Sequence, residues 1–219
     1  GGKKVTYDKR SFMKNTAKKI EQLIYDLCPL KRSLTGEEVE KSVEIIQKYT
    51  GIKFKKYKYK CGAKINDWIL PKKWILKKAF LKDSNGNLIC SSEESILRVV
   101  QYSETVDKKI KLDELRKHLY YSEKIKDAYP YVTSYYEKNW GFCLKYNEYI
   151  NLKEDNYHVF IESVFVEDFI NVYEFLIKGE LKDEILFSTY LCHPEMYNNE
   201  TSGPVVFSEI LRLLISKKN

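Results

Sequence analysis

His193 and Glu200 stand seven residues apart in the segment Cys192-His193-Pro194-Glu195-Met196-Tyr197-Asn198-Asn199-Glu200-Thr201-Ser202-Gly203-Pro204. Imidazole and carboxylate are the side chains most often used to ligate a metal ion or to move a proton. Each residue also has a plainer role. His193 can cap a strand end by hydrogen bonding in the loop. Glu200 suits the approach to a helix N-terminus, where a negative charge is favourable. Asn199 suits an Asx-type turn. Cys192 and His193 are not expected to act as nucleophile and base, because neighbours in an extended segment point apart. A cysteine at a buried strand end usually packs.

Two elements must hold this loop in place. Ile185–Leu191 is an uncharged apolar run that predicts a strand buried on both faces. Pro194 cannot continue its ladder. Ser202-Gly203-Pro204 then opens an apolar helix over Val205–Ile215, with the proline near the first helical position. Open α/β sheets place their sites outside the carboxyl ends of such strands.

Upstream, the spacing of Phe12, Ala17, Ile20, Leu23, Ile24 and Leu27 predicts a helix over Ser11–Leu27. Thr35-Gly36-Glu37-Glu38 reads as a capping box for a helix over Glu37–Tyr49, closed by Gly51. Ile52–Lys60 reads as a strand with a bulge near Lys55-Lys56, where the apolar parity changes. From Cys61 the chain reads as short strands and turns. They include an Asn-Gly hairpin at Asp83–Asn87, a strand at Leu97–Tyr102 and a short helix at Leu112–Leu119. Strands are expected again at Tyr157–Val166 and Asn171–Ile177. The expected layout is discontinuous: residues 1–60 and 152–219 form an α/β domain, and residues 61–151 form a β-rich domain inserted between them.

The chain has 219 residues, of which 43% are hydrophobic and 32% charged, enough to bury a core. No apolar run reaches the roughly 18–20 residues of a membrane span. The polar start GGKKVTYDKRSF is not expected to act as a secretory leader. Five scattered cysteines without a C-x-x-C pair point to reduced thiols, hence to the cytoplasm. The net charge of +7 is concentrated in Lys53–Lys82, which holds eleven lysines and one acid. Interleaved aromatics there would suit single-stranded nucleic acid. Without arginines or a recognisable motif, lysines on solvated faces are the stronger reading.

Four motifs in order, CPLKRSLTGEEV, INDWILPKKW, YVTSYYEKNWGFCL and STYLCHPEMYNNETSGPVV, resemble those of bacterial aminopeptidase-like proteins. These proteins are similar to the zinc aminopeptidases, which are di-metal exopeptidases, and are often encoded in cell-surface polysaccharide loci. The resemblance implies a three-layer α/β sheet carrying metal ligands on loops after its strands, here incomplete, with Cys61–Asn151 as an inserted, mainly β domain. It also implies zinc at His193, with Asn199 at the position of a bridging aspartate and Glu200 beside it. Asn199 is a departure, because a neutral carboxamide is a poor zinc ligand.

The later ligands and the catalytic glutamate of that family lie beyond the point this chain reaches. The chain therefore resembles an N-terminal half, expected to be inactive alone. The expected activity of the whole is zinc-activated water attack on an N-terminal peptide bond or another small amide. The inserted domain would shape access and favour homo-oligomerisation. The alternative is a non-catalytic binding or scaffolding protein on the same fold.

Overall fold

The computed structural model describes residues 9–218, with side chains for 14–217. The expected place of Phe12 on the first helix therefore lies outside the described side chains. In chain order the elements are α1 (Lys9–Leu27), α2 (Glu37–Thr50), β1 (Lys55–Lys60), β2 (Lys64–Ile65), β3 (Trp68–Ile69), β4 (Lys73–Lys82) and β5 (Leu88–Ser91). There follow β6 (Val106–Lys111), α3 (Leu112–Leu115), β7 (Leu119–Tyr120), β8 (Phe142–Cys143), α4 (Tyr146–Ile150), β9 (Asn156–Val166), β10 (Phe169–Glu174) and α5 (Ser202–Lys218). The architecture is mixed α/β with small sheets.

The chain divides into two units. A sheet unit takes Ser33–Thr35 and Lys58–Val172; a helical unit takes the residues up to Arg32, Gly36–Tyr57 and those from Tyr173. In the sheet unit, period-two alternation builds an antiparallel sheet in the order β5-β4-β9-β6. Ala79 pairs with Ile161 and Leu81 with Val159, all fully buried on one face. Phe80 and Phe160 stack at 4.9 Å on the other. Leu112, Leu115, Phe142 and Leu144 complete the core under the sheet. Asp83 closes the β4–β5 hairpin as expected: its carboxylate accepts from the N–H groups of Asn85 (3.0 Å) and Asn87 (2.8 Å), and Gly86 supplies the positive φ of 84°.

In the helical unit, α2 buries Val39, Val43 and Ile46 on one face, as its spacing predicts. Ile46 packs with Leu23 and Leu27 of α1 and Val205 of α5. Gly51 ends α2 in the left-handed region at φ 74°, where its N–H bonds the Gln47 carbonyl at 2.8 Å.

Four expectations are corrected. The capping box does not form: Gly36 is the N-cap of α2 without a side-chain bond. The Thr35 hydroxyl instead donates to the Phe169 carbonyl at 2.6 Å. The parity change after Phe54 marks the start of β1 rather than a bulge, because Phe54 packs beside the helical core and its N–H bonds Gln47 Oε1 at 2.9 Å. Leu97–Tyr102 begins as a 3₁₀ turn, Ile96–Arg98, capped by Ser95. The sheet unit continues past Asn151, because β9 draws its hydrogen bonds from β4 and β6.

The largest difference is Ile185–Leu191. This run belongs to no helix or ladder, and Ile185 and Leu186 are 84% and 88% exposed. A strand buried on both faces needs neighbours on both edges and cover on both sides. Among the described residues, none pairs with this run.

Candidate metal centre

The candidate site lies in the helical unit, where the segment after Leu191 turns back onto the start of α5. Glu195 adopts a positive φ of 53°, a strained conformation for a residue with a Cβ. The chain then makes one π turn, Tyr197–Thr201, before α5. The N–H groups of Glu200 and Thr201 both bond the Met196 carbonyl, at 3.2 and 3.0 Å. Single π turns of this kind recur at functional sites. Gly203 permits the close approach of the preceding segment, since a Cβ there would meet Thr189 Oγ1 at 2.8 Å.

This geometry brings His193 and Glu200 together, as the sequence predicts, and adds Cys192. One donor atom from each of the three lies within 4.8 Å of the others. Cys192 Sγ is 3.3 Å from His193 Nδ1. The expectation that these two side chains point apart is therefore corrected: the turn into Pro194 ends the strict alternation that keeps neighbours on opposite sides of a strand. They still do not form a reactive nucleophile. Burial, with the Glu200 charge, pushes the Cys192 thiol up to about 12, and Arg32 opposes this only in part. Asn199 is exposed, and its carbonyl accepts from the Tyr190 hydroxyl at 3.4 Å.

Glu200 is fully buried. One carboxylate oxygen accepts the Cys192 N–H. The other, Oε2, has no hydrogen-bond partner. Burial raises the Glu200 carboxyl above its ordinary range; the N–H groups of His193 and Cys192 and the charges of His193 and Arg32 act in the opposite direction. A buried carboxylate with an unmatched oxygen is costly and calls for a ligand or a function.

Arg32, from the CPLKRSLTGEEV motif, was not singled out by sequence reasoning. It is fully buried in the floor of the site. Its Nε donates to the His193 carbonyl at 3.0 Å, Nη1 to the Leu27 carbonyl at 2.5 Å and the Ser42 hydroxyl at 3.4 Å, and Nη2 to the Thr201 hydroxyl at 3.4 Å. One planar fork thus ties the end of α1, α2, the His193 loop and the π turn together. The only signal in the sequence was a basic residue in an apolar-flanked connector.

The other histidines are accounted for structurally. His118 stacks on Trp140 at 3.7 Å and its Nδ1 lies 3.0 Å from the Trp140 carbonyl. His158 Nε2 is 2.7 Å from Asp107. In the lysine-rich stretch, Lys56, Lys72, Lys73, Lys77 and Lys78 each face a carboxylate within 4 Å, which favours solvated, locally paired faces. Among the described residues, no helix is long and apolar enough to cross a membrane.

Residues 73–164 match a family described as a domain of unknown function (DUF2172). Over 203 residues the chain is 39% identical to a Clostridium acetobutylicum protein named "Putative polysaccharide biosynthesis protein with aminopeptidase-like domain", covering 93% of this chain and 46% of that protein. A crystal structure of a "putative peptidase" from Clostridium acetobutylicum superposes with a TM-score of 0.84 at 38% identity, covering 94% of this chain and 49% of the other. The resemblance to aminopeptidase-like proteins is thus supported in sequence and in fold. The chain spans about half the length of these relatives.

Proposed function

We propose that this chain carries part of the metal site of an aminopeptidase-like metallohydrolase, with zinc held by His193 and Glu200 and with Asn199 at the rim. The observation that carries this reading is the fully buried Glu200, whose Oε2 lacks a partner and whose carboxylate has an oxygen within 4.8 Å of a His193 ring nitrogen. These residues fit a metal: a nitrogen and an oxygen donor converge, and the orphaned oxygen has a lone pair to give. Bound zinc would supply an activated water for attack on an N-terminal peptide or other amide bond. The chain's own part is to orient the ligands: the Cys192 N–H holds one Glu200 oxygen, and Arg32 holds the His193 carbonyl.

In this reading the fold is that of a three-layer sheet, the run Ile185–Leu191 leads into the ligands, and residues 61–151 are the core of the inserted domain. The protein acts in polysaccharide biosynthesis, as the relative's name suggests, and in the cytoplasm. The chain alone is inactive, since no carboxylate beyond Glu200 joins the cluster among the described residues. Isothermal titration with Zn²⁺ tests the site. Binding that is lost in His193→Ala and in Glu200→Gln supports it; binding that survives both removes it.

The second reading is a non-catalytic scaffold on the same fold. It is favoured by the exposed carboxamide of Asn199, a poor partner for a metal. It predicts no zinc uptake by the wild-type chain.

A further inference from the structure

His193 and Glu200 leave an imbalance of charge and of donor count. Glu200 is the only formal anion among the donors proposed so far, and the Arg32 guanidinium, buried in the same floor, already offsets it. Arg32 reaches the His193 carbonyl at 3.0 Å and the Thr201 hydroxyl at 3.4 Å, on either side of Glu200 in sequence. A divalent cation entering this buried place would meet no net negative charge, which disfavours it strongly. Two ligands also fall short of the three that hold a zinc ion with an open position.

Cys192 supplies both missing quantities. Its Sγ is 3.3 Å from His193 Nδ1. Sulfur at about 2.3 Å and nitrogen at about 2.0 Å from a tetrahedral zinc lie about 3.5 Å apart. These two donors therefore already stand at ligating separation. A Glu200 oxygen lies within 4.8 Å of both and needs only a small closing movement. Cys192 and His193 are partly exposed, so the cluster has a way in for an ion, while Glu200 forms its buried wall. The orphaned Glu200 Oε2 is the independent sign that something is meant to sit there.

We propose that Cys192 is a third metal ligand, so that Cys192, His193 and Glu200 form a sulfur–nitrogen–oxygen site within this chain. The inference rests on the reading of His193 and Glu200 as ligands. On binding, the thiol S–H bond breaks, its proton passes to solvent and the sulfur lone pair forms the bond to the metal. The thiolate then gives the site one negative charge that Arg32 does not already offset. A thiolate donor selects zinc or cobalt over magnesium or manganese.

Cobalt(II) titration of the intact chain, followed by absorption, tests this. A thiolate bound to cobalt gives a charge-transfer band in the near ultraviolet, separate from the visible bands that report a tetrahedral ion. The expected result is both sets of bands in the wild type. Cys192→Ser should keep the visible bands, lose the charge-transfer band, and bind by more than about tenfold more weakly, since even an outer partner of a ligand is worth that much. Visible bands without charge transfer in the wild type, or charge transfer that persists in Cys192→Ser, would overturn the role of Cys192 and leave His193 and Glu200 standing. No cobalt bands at all would overturn the metal site itself.

A second measurement needs no substitution. Zn²⁺ should protect Cys192 from alkylation, read by mass spectrometry of its peptide, and Mg²⁺ should not. Equal protection by both, or by neither while zinc binds, contradicts the proposal.

Discussion

Among the described residues two arginines are completely buried, and their settings differ in kind. In the sheet unit, Arg98 Nη1 and Nη2 meet the Glu148 carboxylate at 2.8 and 2.9 Å, and its Nε lies 3.0 Å from Glu94. Burial pulls its pKa down, but the Glu148 bonds and the surrounding negative charges more than offset this. In the helical unit, Arg32 spends its donors on carbonyls and hydroxyls, with no ion-paired carboxylate among the described residues. Its pKa stays lowered, because burial outweighs the charges of Glu200, Cys28 and Cys192.

The difference separates a staple from a site. The two Nη groups of Arg98 and the Glu148 carboxylate satisfy each other, Arg98 Nε has the Glu94 charge but no hydrogen bond, and Glu148 also accepts the Lys145 N–H at 2.9 Å to start α4. Around Arg32 a buried carboxylate oxygen, Glu200 Oε2, has no partner, and a thiol and an imidazole meet beside that carboxylate. Buried polar groups that are not matched internally mark the places where a protein meets something else.

The comparison can be broken by substitution. The largest effect belongs to the sheet unit. Glu148→Ala strands a buried guanidinium and should cost about 3 kcal/mol or more, measured by urea unfolding. A loss under about 1 kcal/mol would mean that Glu94 and water replace it. Ile161→Ala, at the centre of β9 and fully buried, should cost about 2–5 kcal/mol in the same assay through the cavity it opens.

Arg32→Lys keeps a charge and loses the fork. It should cost about 1–3 kcal/mol. Faster hydrogen exchange should be confined to the His193 loop and the Met196–Thr201 turn. Exchange that speeds only in α1 and α2 would show that Arg32 serves the helices and not the site.

Glu200→Gln tests the balance. It removes a buried charge that is not fully bonded but leaves the Arg32 charge uncompensated, so the metal-free protein should change by less than about 1 kcal/mol while zinc affinity disappears. A clear loss of apo stability would show that Glu200 is a structural cap for the Cys192 and His193 amides.

Much of the scaffold was legible in residue order. The strand at Tyr157–Val166, the Asn-Gly turn and the α2 stripe ending at Gly51 each state a local pattern that tertiary packing then kept. Thr35 was misread because its hydroxyl had a partner 134 residues away, in the Phe169 carbonyl. Ile185–Leu191 was misread because composition reports only that a run is apolar, whereas a strand exists through its neighbours.

Of the site, His193 and Glu200 were legible by type and spacing. Cys192 was set aside on the rule of alternating side chains, which the turn at Pro194 breaks. Arg32 was invisible because its role depends on carbonyl groups, and any residue has one.

The smallest predicted effect belongs to Glu209 on α5. Glu209 is bonded by Arg212 at 2.6 and 2.9 Å and by the Tyr49 hydroxyl at 2.8 Å. The Arg212 bonds, above all, hold its carboxyl below the ordinary range. A depressed carboxyl stabilises the fold above its unfolded pKa and loses that contribution as the pH falls through the folded value. Melting temperature measured from neutral pH down through the carboxylate range should fall more in the wild type than in Glu209→Gln, by an amount worth about 0.5–1 kcal/mol. Parallel curves would show that this cluster carries no net energy.

The central claim is that the unmatched polarity around Arg32 is a metal site. The most direct measurement is zinc content by mass spectrometry after equilibrium dialysis of the wild type, Glu200→Gln and His193→Ala against dilute Zn²⁺. The account predicts stoichiometric zinc in the wild type and none in either variant. A wild-type protein that emerges free of zinc, or variants that retain it in full, would contradict the account.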